Sequence, residues 1–393
     1  MASWKWAVGA LVSLSLSGCF LSHSTDTDAA TDSGVPTRSD SGCVDLVYED
    51  GGTAAAESVD LLIMVDNSNS MSEEQASLAV ALPNLVRGII SGDVDLDGDI
   101  DFAPAGSLHL GVVTSDMGTG GFAVPTCSES NFGDDGVLRT GSGSSDRDCA
   151  GRFPTFLEFD PDGDVTVEEF ATRAACVTTA GTGGCGFEQQ LDAVLKAVTP
   201  SRSAVDFVMG TSGHADGANV GFLRDDSILV ILVVTDENDC SALDPELFNP
   251  GSRVYTGDLN LRCFQFPGAV HPVERYIDGL LALRSDQPDR LVFATIVGIP
   301  PDLSGASADA ILADPRTTEH IDPAMPFRLA PSCDVPGRGV AFPPTRIVQV
   351  AQGISRRGGR SLNLSICQED FSPAVGLILE EVGAAARPIC LDP

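Results

Sequence analysis

The sequence predicts an α/β fold, a doubly wound, mostly parallel sheet flanked by helices and carrying disulfide-stapled loop insertions. Three observations lead there. Residues 59–65 form a near-continuous apolar run of strand length, the pattern of a central parallel strand buried on both faces. Leu78, Leu82, Leu85 and Ile89 then recur at helical spacing within residues 72–90, marking one apolar stripe. Further strand-like runs at 108–113, 228–234 and 291–297 alternate with helical stretches at 187–198, 273–283 and 375–382. Strands alternating with helices call for a largely parallel sheet.

Before that domain lies a different kind of chain. Residues 1–18 read as a secretory signal: Lys5 supplies the positive charge, and the apolar stretch from Ala7 to Leu16 is too short to span a bilayer. The stretch ends in Leu16-Ser17-Gly18-Cys19, which resembles the lipobox of bacterial lipoproteins. That resemblance implies a diacylated Cys19 as first mature residue and lipid anchor, and Phe20 in place of Asp implies the outer membrane. Several acyl chains make a durable anchor. Residues 19–57 are rich in Ser, Thr, Asp, Gly and Ala, too poor in large apolar groups to fold alone, and read as a flexible tether. The domain is expected over 58–390, with insertions near 118–176, 240–270 and 300–345, where Gly, Pro and Cys interrupt any periodicity.

Composition narrows the function. Of 393 residues, 56 are acidic and 23 are Lys or Arg, a net charge of −33, while 43% hydrophobic residues suffice for a real core. A surface this negative repels phosphate backbones, which excludes nucleic acid as a partner, and it favours cations. Setting Cys19 aside, ten of the eleven cysteines remain, an even count that suggests up to five disulfides in an exported chain. Spacing hints at Cys127–Cys149, Cys176–Cys185 and Cys240–Cys263, although sequence alone does not fix connectivity. Zinc is disfavoured, since no Cys-x-x-Cys pair occurs and the five histidines are scattered.

In open α/β sheets ligands sit beyond the carboxyl ends of the strands, so those ends are where chemistry is sought. The first run ends in Asp66-Asn67-Ser68-Asn69-Ser70, directly before a helix. The run 228–234 ends in Thr235-Asp236-Glu237-Asn238-Asp239, and between them Gly181-Thr182-Gly183-Gly184 precedes the helical stretch at 187. These three pieces resemble the metal-ion-dependent adhesion site of von Willebrand factor type A domains, over roughly residues 58–390. The resemblance implies Mg²⁺, Mn²⁺ or Ca²⁺ held by Asp66, Ser68, Ser70, Thr182 and Asp236. It also implies a coordination position left open for an Asp or Glu of a protein partner. Glu237 stands where the family usually has glycine, and with Asp239 it supplies carboxylates able to surround the metal or to close the open position. Short hydroxyls at alternate positions suit a hard cation and leave it electrophilic.

A second acidic loop, Asp93, Asp95, Asp97, Asp99 and Asp101 around Gly98, alternates carboxylates as Ca²⁺ loops do, although Pro104 stands where an EF-hand requires Glu. The run 160–164 reads as a solvated acidic turn. Motifs of the common hydrolases and nucleotide enzymes do not occur. The expectation is therefore a non-enzymatic envelope lipoprotein that binds a protein partner through a divalent metal. A Ca²⁺-stiffened structural lipoprotein without a metal-bridged partner is the alternative, and a metal-dependent hydrolase using Glu237 or Asp239 as base the remoter one.

Overall fold

The computed structural model describes residues 58–336 and 339–386. The signal and tether expected over 1–57, the lipobox Cys19, and the cysteines Cys43 and Cys390 lie outside the described residues. A six-stranded sheet forms the middle layer: β1 (Val59–Val65), β2 (Leu108–Thr114), β3 (Leu157–Phe159), β4 (Ile228–Val234), β5 (Leu291–Val297) and β8 (Arg360–Ser365). A separate small hairpin pairs β6 (Cys333–Val335) with β7 (Gly339–Ala341). The order across the sheet is β3-β2-β1-β4-β5-β8, and every pairing is parallel except that of β3 with β2. The mostly parallel doubly wound sheet read from the sequence is the fold.

Alternation along β1 divides the core into its two layers. Leu61, Ile63 and Val65 face α1 (Ser72–Ser91), α2 (Val167–Thr178) and α8 (Ser372–Ala386). Leu62 and Met64 face α3 (Gln190–Val198), α5 (Glu274–Ala282), α6 (Ala308–Ala313) and α7 (Thr345–Arg356). All seven β1 residues are buried, so the strand has no solvent side, and each fully buried aliphatic chain contributes about 1.5–3 kcal/mol. A one-turn helix, α4 (Arg262–Gln265), belongs to a smaller apolar cluster at the carboxyl end of the sheet, built on Phe187, Phe248 and Val270.

Three sequence expectations are corrected. Cys127 pairs with Cys185 and Cys149 with Cys176, not Cys127 with Cys149 and Cys176 with Cys185; Cys240–Cys263 forms as expected, and Cys333–Cys367 is added. The cause is α2, whose Cys176 is set against the 147–149 turn, leaving Cys185 to meet Cys127 in the loop above β2. The segment 118–176 is not all loop either: it contains β3, which closes the β2 edge, and α2, which covers the sheet. The segment 300–345, read as a third loop insertion, contains α6, the β6–β7 hairpin and the first residue of α7. Four disulfides mark a chain that folds in an oxidising compartment.

Candidate metal centre

The strand order reverses between β1 and β4. The chain leaves β1 towards β2 on one side and leaves β4 towards β5 on the other, opening a crevice at their carboxyl ends where α/β sheets bind ligands. Asp66 follows β1 and Asp236 follows β4 by two residues, so the topology sets both carboxylates at that crevice. The register holds them there: Asp66 N donates to Val234 O at 2.9 Å.

Asp66 is fully buried, and each of its oxygens is held. Oδ1 accepts from Ser68 N at 2.8 Å and from Ser115 Oγ at 3.2 Å, and Oδ2 accepts from Thr235 Oγ1 at 2.6 Å. Ser68 Oγ and Ser70 Oγ lie 3.1 Å apart, so the two hydroxyls of the Asp-x-Ser-x-Ser run share one mouth. Burial pushes the Asp66 carboxyl above its usual range, and the hydrogen bonds from Thr235, Ser68 and Ser115 oppose that rise.

Asp236 is held less completely. It is 3% exposed, and its Oδ1 has no hydrogen-bond partner, a costly state for a buried acceptor. Burial first, then the negative charges of Asp66 and Glu237, push its carboxyl well above the usual range, with Ser70 opposing. Two more carboxyls lie within electrostatic reach of Asp66, although the only set of three acidic side chains that gathers closely enough to hold a metal, among the described residues, is Asp93, Asp95 and Asp101. Glu188, 3% exposed, is driven well above the usual range by burial and by Glu237, Asp66 and Asp236. Glu237 is pushed up to about 7 by burial and by Asp66, while a hydrogen bond with Glu188 works the other way.

Three other buried carboxylates have basic partners, Asp60 with Arg224, Asp192 with Arg275 and Asp239 with Arg346, whereas buried Asp116 is held by the backbone N–H groups of Gly118 and Cys185. Among the described residues no Lys, Arg or His pairs with Asp66, Glu188, Asp236 or Glu237. Buried charge without a counter-charge is unfavourable by several kcal/mol per ion. An orphaned carboxylate oxygen, two convergent hydroxyls and a surplus of negative charge are together the donor set of a hard divalent cation, and the residues present fit one.

Thr182 is half-buried, and the loop that carries it is fastened to the centre on both sides. Gln75, on the buried face of α1, donates from Nε2 to Asp66 O at 2.8 Å and to Gly181 O at 2.9 Å, and its Oε1 accepts from Gly181 N at 2.9 Å. Gly184 N donates to Asn67 O at 2.8 Å, and a side chain at 184 would collide with Asn67, its Cβ falling 2.1 Å from Oδ1. Asp239 points elsewhere: it accepts from Leu191 N, Ser241 and Arg346, and fixes the start of α3. Sequence reasoning missed Ser115, Thr235, Glu188 and Gln75. Ser115 and Thr235 directly follow β2 and β4, so the strand-end rule that found Asp66 points to them as well.

At the acidic loop after α1, Asp93, Asp95 and Asp101 bring one carboxylate oxygen each within 4.8 Å of one another and could hold a metal. Asp97 and Asp99 are not in that group; Asp97 Oδ1 accepts from Asp99 N at 2.9 Å within the loop.

No sequence profile of a known family matches the chain, and no curated protein matches it. Among solved structures it is similar to proximal thread matrix protein 1 from the mussel byssus, at 9% identity and a TM-score of 0.32, over 84% of this chain and 49% of that one. The chain thus spans about half the length of that structure.

Proposed function

We propose that this chain is a non-enzymatic binding module that takes a protein partner through a divalent cation held by Asp66, Ser68, Ser70, Thr182 and Asp236, with Mg²⁺, Mn²⁺ or Ca²⁺ as the ion. The observation that carries the reading is the orphaned, buried Asp236 Oδ1 at the β1/β4 switch point, beside carboxyls that pair with no basic residue among the described residues. When bound, the cation supplies Lewis acidity for a carboxylate of the partner. The chain's own residues do the rest. Thr235, Ser115 and Ser68 N fix Asp66, Gln75 fixes the Thr182 loop, and the hydroxyls of Ser68 and Ser70 add ligands without adding charge. The chain is exported, anchored through Cys19 to the outer membrane and held off it by residues 19–57.

Asp66→Ala should abolish capture of an envelope partner, and EDTA should do the same to the unmodified chain, with the thermal transition retained in both. Capture that survives both would overturn the reading. A second reading has its own observation: Glu188 and Glu237 crowd the centre with carboxyls beyond the family's pattern. If they fill the open position, the domain is a cation-stiffened structural lipoprotein, with the Asp93, Asp95 and Asp101 group as a second, Ca²⁺-binding brace. Metal binding without any EDTA-sensitive partner would select it.

A further inference from the structure

Gln190, the first residue of α3, is fully buried and has no place in the proposed ligand set. Its chain neighbours fix the helix start from both sides. Gln189 N donates to Ser115 O at 2.9 Å, Gln189 Nε2 donates to Gly118 O at 2.8 Å, and Gln189 Oε1 accepts from Ala242 N at 3.2 Å. On the other side Asp239 Oδ1 accepts from Leu191 N at 2.9 Å. From this held position the Gln190 amide reaches the end of β4, where its Nε2 donates to Thr235 Oγ1 at 2.9 Å. The other end of the amide is bare: Gln190 Oε1 is buried without a hydrogen-bond partner.

A hydroxyl has one proton to give and two lone pairs to receive with. Thr235 Oγ1 receives Gln190 Nε2 and also Glu237 N, the latter at 3.2 Å. Both lone pairs are then taken, and the proton goes to Asp66 Oδ2, 2.6 Å away. The order of the chain is fixed by that count, with Gln190 giving to Thr235 and Thr235 giving to Asp66. An amide turned the other way would present Oε1 to Thr235 and compete with Asp66 for the same proton. We infer that Gln190 is a positioning residue of the cation centre, which commits the Thr235 hydroxyl to Asp66 and so holds that carboxylate in one orientation; this rests on the reading of Asp66 as a cation ligand. Groups that orient metal ligands in this way contribute to affinity without touching the ion. The bare Oε1 fits the assignment. An unsatisfied buried acceptor is unfavourable, and an apolar side chain at 190 would spare the fold that penalty, so the amide serves the centre rather than the core.

The test titrates Mn²⁺ into the full chain and into its Gln190→Met, Gln190→Leu, Thr235→Val and Asp66→Ala variants, together with the Gln190→Met, Thr235→Val double variant. The thermal transition of each is measured in EDTA. Gln190→Met and Gln190→Leu are apolar replacements of different shape, and both are expected to bind Mn²⁺ about 10- to 100-fold more weakly. Their transitions in EDTA should be unchanged or raised, because the bare acceptor goes with the amide. Adding Gln190→Met to Thr235→Val should change the affinity by less than about twofold, since the amide acts through the hydroxyl. Unchanged affinity in both Gln190 variants would overturn the inference, as would losses that multiply in the double variant. A lowered transition in EDTA, or failure of both Gln190 variants to fold, would also overturn it by giving the amide to the fold. Mn²⁺ binding that survives Asp66→Ala would sink the cation reading itself, whereas binding lost in Asp66→Ala and intact in both Gln190 variants would sink this inference alone.

Discussion

Replacing Asp236 by Asn tests whether the centre is built for a cation or for the fold. In the metal-free chain Asp236 is a buried carboxylate with an unsatisfied Oδ1, surrounded by Asp66, Glu188 and Glu237. An unsatisfied buried acceptor costs about 1–3 kcal/mol, more when charged. Asn removes the charge, and its amide group brings two further donors into a cluster rich in carboxyls. Asp236→Asn should therefore stabilise the metal-free chain by about 1–3 kcal/mol. At roughly 2 °C per kcal/mol for a domain of this size, the transition should rise by about 2–6 °C. In Mg²⁺ the order reverses, because the unmodified chain gains about 4.1 kcal/mol at a thousandfold excess over its dissociation constant and the variant does not. The assay is scanning calorimetry of both chains in EDTA and across a Mg²⁺ series at pH 7.5. A variant less stable than the unmodified chain in EDTA would show that Asp236 supports the fold, and the account of strain relieved by a cation would be refuted.

Two further predictions concern residues around the centre. Gln75→Leu keeps the volume but removes the clamp between Asp66 and Gly181, so Mn²⁺ affinity should fall about 10- to 100-fold with the transition little changed; unchanged affinity in a Mn²⁺ titration would deny Gln75 a positioning role. Asp192, 2% exposed in α3, has its carboxyl raised from 3.8 to about 6 by burial, against the pull of Arg275. Its pKa in the fold lies above the unfolded value, so the fold loses stability as pH rises from about 4 through 6 and levels off above, by up to about 3 kcal/mol. Asp192→Asn should abolish that loss: urea unfolding should find the two chains equal near pH 4 and the variant more stable at pH 8. Equal stability at both pH values would show that the Arg275 pair offsets the burial.

How much of this was legible before the coordinates follows from what burial does to a sequence. Strands β1, β4 and β5 have no polar face and stand out as apolar runs. Edge strand β8 is half polar, Arg360-Ser361-Leu362-Asn363-Leu364-Ser365, and only its last three residues are buried, so it reads as loop. Helix α2 is hidden among Gly, Pro and Cys, although Thr166 capping Glu169 N is a helix-start signal present in the sequence as Thr-x-x-Glu. Helix α7 follows Pro343-Pro344 and is rich in β-branched residues, which mask helical spacing at Ile347, Val350 and Ile354. At the centre, Asp66, Ser68, Ser70 and Asp236 were readable because short motifs at strand ends survive without knowledge of tertiary contacts. Glu188 and Gln75 were not: each lies in or beside a helical stretch where a polar residue ordinarily faces water, and only the packed fold turns them inward.

Glu188 and Glu237 change what the centre is. On the proposed reading, a chain with net charge −33 must present positive charge to an acidic partner, and among the described residues no Lys, Arg or His pairs with Asp66, Glu188, Asp236 or Glu237. A bound cation is then the local source of attraction, and its net effect depends on how many carboxylates it must neutralise. In the proposed ligand set, Asp66 and Asp236 alone would balance a divalent ion, and Ser68, Ser70 and Thr182 would add oxygens without further charge. Glu188 and Glu237 exceed that balance. If both ionised, the centre would be anionic even when loaded and would repel a partner's carboxylate; burial, which pushes both carboxyls above their usual range, works against that surplus.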